Sequence, residues 1–353
     1  MSGTLVVSRE TDDYRCMGHG KLMAELVHEA HPELHHYTTA AGLKGIIESQ
    51  QLWATNISYL NDAEEHIGFF DRRLSHLLAK PVRAAVAEIA TTASDRNQID
   101  VHGGVEKAVE ESIKDLISLL RTATLNVDKP YVTAFCSAVP NATPDDGLLS
   151  QWRGYGTDGG YAIVFDTHGL ERLLVEESKT FHYQYPFILS NVEYYDQITS
   201  EKAAFPETLE WEAIVQKTIR NFILAKKWEG LEELAGPIAA LSCRYKHSGF
   251  REEAEVRIVA TPSSSELLKM AQDAGDKRPP KPVHFVTKNG VLVPYIKLFG
   301  HKSNGSLTKL PIRKIIVGPH LEKLKRQKAI EVLLEQNHIE ARVVVSDIPY
   351  LGR

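Results

Sequence analysis

The sequence predicts an α+β fold: a mixed or antiparallel sheet core with helices inserted between its strands and a βαβ-like tail. Three observations carry that prediction. Short alternating apolar runs bounded by turn residues recur along the chain. Longer stretches with apolar residues at helical spacing separate them. The last forty residues or so read strand, helix, strand.

In order, the stretch up to residue 33 is polar, with one short helical pattern around Leu22, Leu26 and Val27. Leu34 to Thr39 reads as a strand, and Ala40 to Gln50 as a helix with Leu43, Ile46 and Ile47 on one face. Leu52 to Thr55 is a second strand. Asn61-Asp62 offers a cap, with acidic residues following it. Residues 64–125 are predicted to form an inserted helical unit carrying no catalytic group, interrupted by the polar stretch Thr91 to Asp100 and by Gly103-Gly104. Its apolar positions need a partner face, within the unit or over a cleft.

Strand patterns resume at Tyr131 to Cys136 and at Gly160 to Phe165. A helix follows from Thr167 to Glu177, a strand over Val192 to Tyr195, and helices from Glu207 to Lys227 and on to Leu241. Residues 253–259 alternate as a strand would. That pattern puts Glu253, Glu255, Arg257 and Val259 on one face and Ala254, Val256 and Ile258 on the other. Asn289-Gly290 between apolar runs signals a hairpin over Val283 to Lys297. Ile312 to Pro319, Leu321 to Gln336 and Ala341 to Val345 make the tail. The organisation expected is an extension over 1–33, one domain over 34–346 and a tail over 347–353.

Composition narrows the function classes. The 353 residues include 41 Lys+Arg against 46 Asp+Glu, a formal net charge of -5, so a broadly basic binder of nucleic acid is excluded. Cys16, Cys136 and Cys243 lie far apart without a CxxC or Cys/His cluster, which argues against structural zinc and for a reducing, cytoplasmic setting. The N-terminus has no basic stretch followed by an apolar core, and no apolar run is long enough for a membrane span. Phosphate-loop, GxSxG and HExxH signatures are absent.

Three clusters bear chemistry. His35-His36-Tyr37-Thr38-Thr39 could bond sugar hydroxyls, or simply hold a histidine against a loop carbonyl. Ser150-Gln151-Trp152-Arg153-Gly154-Tyr155-Gly156 sets an indole and a guanidinium together, as a flat phosphate-bearing ligand needs; a structural Trp is the plainer reading. Glu253 and Glu255 could stabilise a cationic sugar centre, or sit on a strand edge with Arg257 as counter-charge.

Taken in order, His36-Tyr37-Thr38, Leu52-Trp53-Ala54, Tyr59-Leu60-Asn61-Asp62, Leu149 to Tyr155, Phe250 to Arg257 and Ile315 to Pro319 resemble a bacterial domain-of-unknown-function family, number 2971. The resemblance spans roughly residues 34 to 345. Val256 departs from it, since the family more often has Trp after the Glu-x-Glu pair. The succession of histidine strand, aromatic region and late glutamate strand is in turn similar to the ADP-ribosyltransferase superfamily. That likeness implies an ADP-ribosyltransferase-like sheet and NAD as substrate, with no metal. It implies that His36 holds the adenine-side ribose, Tyr37 and Thr38 flank the nicotinamide amide, and Tyr155 or Tyr161 stacks on the nicotinamide. Gln151, Trp152 and Arg153 would complete the NAD site. Glu255 would stabilise the oxocarbenium-like transition state and Glu253 would orient the acceptor. A bacterial toxin or phage-defence effector would follow, with a protein or nucleic-acid acceptor, a neutralising or defence-system partner and no membrane. Two other readings stay open. One is a non-catalytic nucleotide- or nucleic-acid-binding module using Trp152, Arg153 and Arg257. The other is a nuclease with Asp62, Glu253 and Glu255 as metal ligands.

Overall fold

β-Branched and aromatic residues fill the strands, and most strands pair antiparallel. A computed structural model describes residues 4–6, 26–60, 68–126, 130–137, 145–155, 160–195, 208–303 and 306–349. The strands are β1 (Thr4–Val6), β2 (Glu33–Thr38), β3 (Leu52–Asn56), β4 (Tyr131–Ser137), β5 (Tyr161–Asp166), β6 (Ile188–Asn191), β7 (Glu193–Tyr195), β8 (Tyr245–His247), β9 (Glu255–Ala260), β10 (Val283–Lys288), β11 (Val291–Leu298), β12 (Lys302–Ser303), β13 (Ser306–Leu307), β14 (Ile312–Val317) and β15 (Arg342–Val345). Eleven of them form one sheet in the order β1-β6-β9-β4-β2-β5-β14-β15, with β3, β11 and β10 branching from β4. Within it only β14 and β15 are parallel, joined by the tail helix, so the βαβ-like ending is present.

The sheet splits at β4. Its C-terminal end pairs with β2 through Ser137 and Cys136, and its N-terminal end pairs with β3 through Val132 and Tyr131. On its other edge β4 runs along β9 without interruption.

The helices are α1 (Val27–Ala30), α2 (Ala40–Ser49), α3 (Leu74–Thr91), α4 (Arg96–Val101), α5 (Val105–Asn126), α6 (Leu149–Tyr155), α7 (Thr167–Thr180), α8 (Thr208–Ala225), α9 (Leu231–Ser242), α10 (Ser265–Asp273) and α11 (Lys323–Gln336). Local chemistry explains several ends. Thr39 caps α2 by accepting from Gly42 N, and Asp166 caps α7 by accepting from Gly169 N. Gln50 closes α2 in the left-handed region. Asn289 and Gly290 both have positive φ, as a tight hairpin turn requires.

Two cores result. The main one lies on one face of the sheet, where Leu43, Ile46 and Ile47 of α2 and Leu170 and Leu174 of α7 meet Leu34, Phe135, Ile163, Val256 and Ile258. The second belongs to the helices: Leu78, Val82, Val86, Leu116 and Leu120 pack with Val215, Ile219 and Leu234. The expected helical unit at 64–125 is therefore present over its described residues but does not close on itself. Its partner face comes from α8 and α9, over a hundred residues further on. Asn61 and Asp62, the expected cap, lie outside the described residues.

Three expectations need correction. The N-terminal stretch supplies a strand, β1, which pairs with β6 at the sheet edge. The expected strand over 253–259 begins at Glu255. Residues Ser248–Glu253 form a 3-10 turn, and Ala254 sits in the left-handed region with φ 42, so the chain bends between the two glutamates. The Val192 to Tyr195 pattern is a strand only from Glu193, and it pairs with β8 outside the main sheet.

Candidate functional site

Strand alternation divides the sequence-predicted residues into two groups, because directly paired residues point to the same side of a sheet. His36 lies opposite Ile163 and Thr38 opposite Tyr161, all on the face covered by α2. Tyr161 is buried among that core. His35 lies opposite Cys136, and Cys136 opposite Glu255, on the other face, which α6 covers. One row across this α6 face reads Lys314, Val164, His35, Cys136, Glu255. His36 and Glu255 thus do not line one pocket: the strand period of two turns them to opposite sides.

His36 has a specific position. Its Nδ1 lies 3.0 Å from Ala134 O, where β2 and β4 have stopped pairing, and its ring centroid is 5.7 Å from that of Phe135. A carbonyl only accepts, so Nδ1 donates and Nε2 is left as the acceptor. Burial lowers the pKa of His36 and keeps it neutral, although the bond to Ala134 works the other way. The imidazole takes over a carbonyl that the strand ladder leaves open at the split.

Glu255 is 5% exposed and saturated with donors. Arg257 gives Nε to Oε1 at 2.6 Å and Nη2 to Oε2 at 3.0 Å. Lys246 Nζ reaches Oε2 at 2.8 Å and Glu253 Oε2 at 2.8 Å, so the bend at Ala254 brings both glutamates to one ammonium. Arg257 Nη1 also donates to Cys243 O, and the backbone N of Glu255 donates to the Tyr194 hydroxyl at 2.7 Å. Burial alone would raise the Glu255 pKa. Arg257 and Lys246 outweigh it, and the net shift is downward. Glu255 is therefore an ionised carboxylate at neutral pH, fixed in place. Cys136, beside it, is pushed well up by burial and by the Glu255 charge, so its thiol stays protonated.

The Gln151–Tyr155 segment is a helix, α6, laid against β2. Trp152 is 0% exposed; its Nε1 donates to Asp146 O at 2.9 Å, and its ring meets Tyr37 edge-on at 4.8 Å. Tyr37 accepts from Leu148 N at 2.8 Å, and burial raises its pKa. Gly147 passes over the indole with φ 71, where a Cβ would stand 2.6 Å from Trp152 Cζ2. Trp152 and Tyr37 are a structural pillar, the plainer of the two readings. Gln151 is buried beside them and Arg153 is exposed. The side chain of Tyr155 lies outside the described residues.

The trio Trp152, Arg153 and Arg257 does not form a ligand platform, since the indole is enclosed and Arg257 holds Glu255. Nor do Glu253 and Glu255 act as a carboxylate pair for a cation, because Lys246 stands between them. Asp62 is outside the described residues, and among those described no three His, Cys, Asp or Glu side chains converge as metal ligands.

Sequence reasoning placed His35 in its first cluster but gave the site role to His36, and it passed over Lys246 and Tyr194 as site residues. Alternation from Tyr37 would have marked His35 as the histidine on the buried α6 face. No local signal marks Lys246, whose strand β8 pairs only outside the main sheet.

The fold and site define an α+β protein with a split, mostly antiparallel sheet and a buried charge cluster at one end of its glutamate strand. Residues 151–258, which run from α6 through that strand, match a family described as Protein of unknown function (DUF2971). No curated protein and no solved structure matches the chain. Among the described residues no helix is long and apolar enough to cross a membrane.

Proposed function

We propose that the protein consumes NAD and transfers ADP-ribose, with an ADP-ribosyltransferase-like sheet. One observation carries the reading: the histidine strand β2 and the glutamate strand β9 flank the same strand, β4, and the sheet parts at His36. The parting of β2 from β4 leaves backbone groups unpaired by the ladder, as a site for an extended ligand requires.

Cleavage of the nicotinamide–ribose bond sends the bonding electrons to nicotinamide and leaves positive charge on the sugar. An ionised carboxylate fixed nearby favours that charge. Glu255 meets both conditions. Lys246 is shared with Glu253, so it is the donor that a ribose hydroxyl would displace from Oε2 while Arg257 keeps the carboxylate in place. Glu253 would then orient the acceptor, a protein or a nucleic acid. His36, on the opposite face, would keep β4 parted from β2 through its bond to Ala134 O rather than share a pocket with Glu255. The effector would act in a bacterial cytoplasm, under a neutralising or defence-system partner.

The test is incubation with labelled NAD, with and without lysate, reading released nicotinamide and labelled product. Glu255→Gln should lower turnover by about 10²-fold or more per folded molecule. Unchanged turnover in that variant, or no NAD cleavage by the native protein in either condition, overturns the reading.

A further inference from the structure

The strands that branch from β4 carry a feature with no part in the NAD reading. Trp53 on β3 is 48% exposed, although large apolar side chains on strands are usually covered. It stacks on Tyr295 of β11 with centroids 4.1 Å apart and planes 25° apart. Tyr295 is itself buried and faces His284 of β10 at 5.6 Å. One side of the indole is thus taken by a fixed aromatic ring, and its exposure is on the remainder.

The charge on the strands that carry this stack is one-sided. β3, β10 and β11 contain no Asp or Glu, in a chain whose formal net charge is -5. Lys297 lies directly opposite Trp53 and has no ion-pair partner among the described residues. Lys288 stands on the same face at the far end of the hairpin, paired with Val291. Strand rise puts Lys297 and Lys288 at the ends of a track about 20 Å long. His284, between them, has its pKa lowered by burial and then by Lys297 and Lys281, which agrees with a locally positive field.

We propose that this face of β3, β11 and β10 docks single-stranded nucleic acid, with Trp53 as the stacking platform for an unpaired base and Lys297 and Lys288 along its phosphates. Aromatic rings on an exposed strand face beside cations hold single strands without reading sequence, because every base has a π-face. On this face Trp53 is half exposed and Lys288 exposed while Tyr295 and Val293 between them are buried, so a base would be laid on the indole from solvent rather than enclosed in a cavity. Duplex bases are already stacked and cannot reach the indole. The surface differs from the Trp152, Arg153, Arg257 set, and its occupancy requires no NAD.

The experiment is fluorescence anisotropy of a short labelled oligodeoxythymidylate titrated with the full chain at low salt, without NAD. Native protein should bind it, and Trp53→Ala should weaken binding by about 10-fold or more. Trp53→Phe keeps a ring and should retain most of the affinity, which guards against loss by misfolding. Lys297→Ala should weaken binding and lower the slope of log affinity against log salt by about 1. No binding by the native protein overturns the proposal. So does equal binding by Trp53→Ala, or equal competition by a duplex of the same length or by free thymidine monophosphate. NAD cleavage is read separately, so failure of one proposal leaves the other standing.

Discussion

At the scale of single residues, two buried titratable groups on the α6 face both withdraw stability in acid, over different pH ranges. His35, 6% exposed, has its pKa lowered to about 4 by burial and by Lys314. In the unfolded chain it titrates near 6.5. Between those values the unfolded state binds more protons, so stability falls as pH drops from about 6.5 to about 4 and levels off below. The loss amounts to about 3 kcal/mol, and His35→Gln should flatten that part of a denaturant-unfolding profile against pH. Glu255 shifts in the same sense: its folded pKa is depressed, so its contribution is complete above about pH 4.3, the unfolded value, and is lost as pH falls through the folded one. Glu255→Gln leaves the buried Arg257 without its carboxylate while Lys246 keeps Glu253, at a cost of about 3 kcal/mol at neutral pH. The melting-temperature gap to the native protein should narrow in acid. A gap that stays constant down to about pH 3 would show that Glu255 is not ionised in the fold.

At the scale of elements, α6 is the least self-sufficient piece of the site. It is a short helix, too short to hold itself in water, and its register on β2 depends on Trp152. Truncation to Trp152→Ala should cost about 3–5 kcal/mol by emptying that contact, and it removes the bond to Asp146. Limited proteolysis should then cut within residues 145–155 first, while β2 stays protected. Equal protection in the variant would mean that α6 is held by something other than its indole.

At the scale of the whole molecule, helices from two distant parts of the chain share one core. Ile219 of α8 is fully buried against the α3 and α5 side chains. Ile219→Ala should cost about 2–5 kcal/mol. Hydrogen exchange should lose protection in α3 and α8 together, with β2, β5 and β14 less affected. Loss confined to α8 would show that residues 74–126 form a core of their own.

Much of the architecture was legible from local pattern. The β2, β4, β5 and β14 strands, the Asn289-Gly290 hairpin, α2 with its buried face and the βαβ ending each follow from periodicity and turn chemistry within a few residues. The short strands β6 and β8 and the helix α10 were not legible. The two strands have too few positions to show a period and exist because neighbouring strands pair with them, whereas α10 buries no residue and its one local signal was the Ser264 cap.

The sequence by itself determined the class of fold, and it offered Arg257 as a counter-charge for Glu255 and a structural role for Trp152 as alternatives that it left open. These depend on residue type and on spacing of a few positions, where backbone geometry is nearly fixed. Only the tertiary structure decided which histidine shares a face with Glu255, because a shift of one residue along a strand reverses the side chain. It alone brought Lys246 between Glu253 and Glu255, set Lys297 opposite Trp53, and gave residues 68–126 their partners in α8 and α9. Each of those contacts joins segments whose separation along the chain carries no local signal, and burial of apolar surface selects among them only when the whole chain is packed.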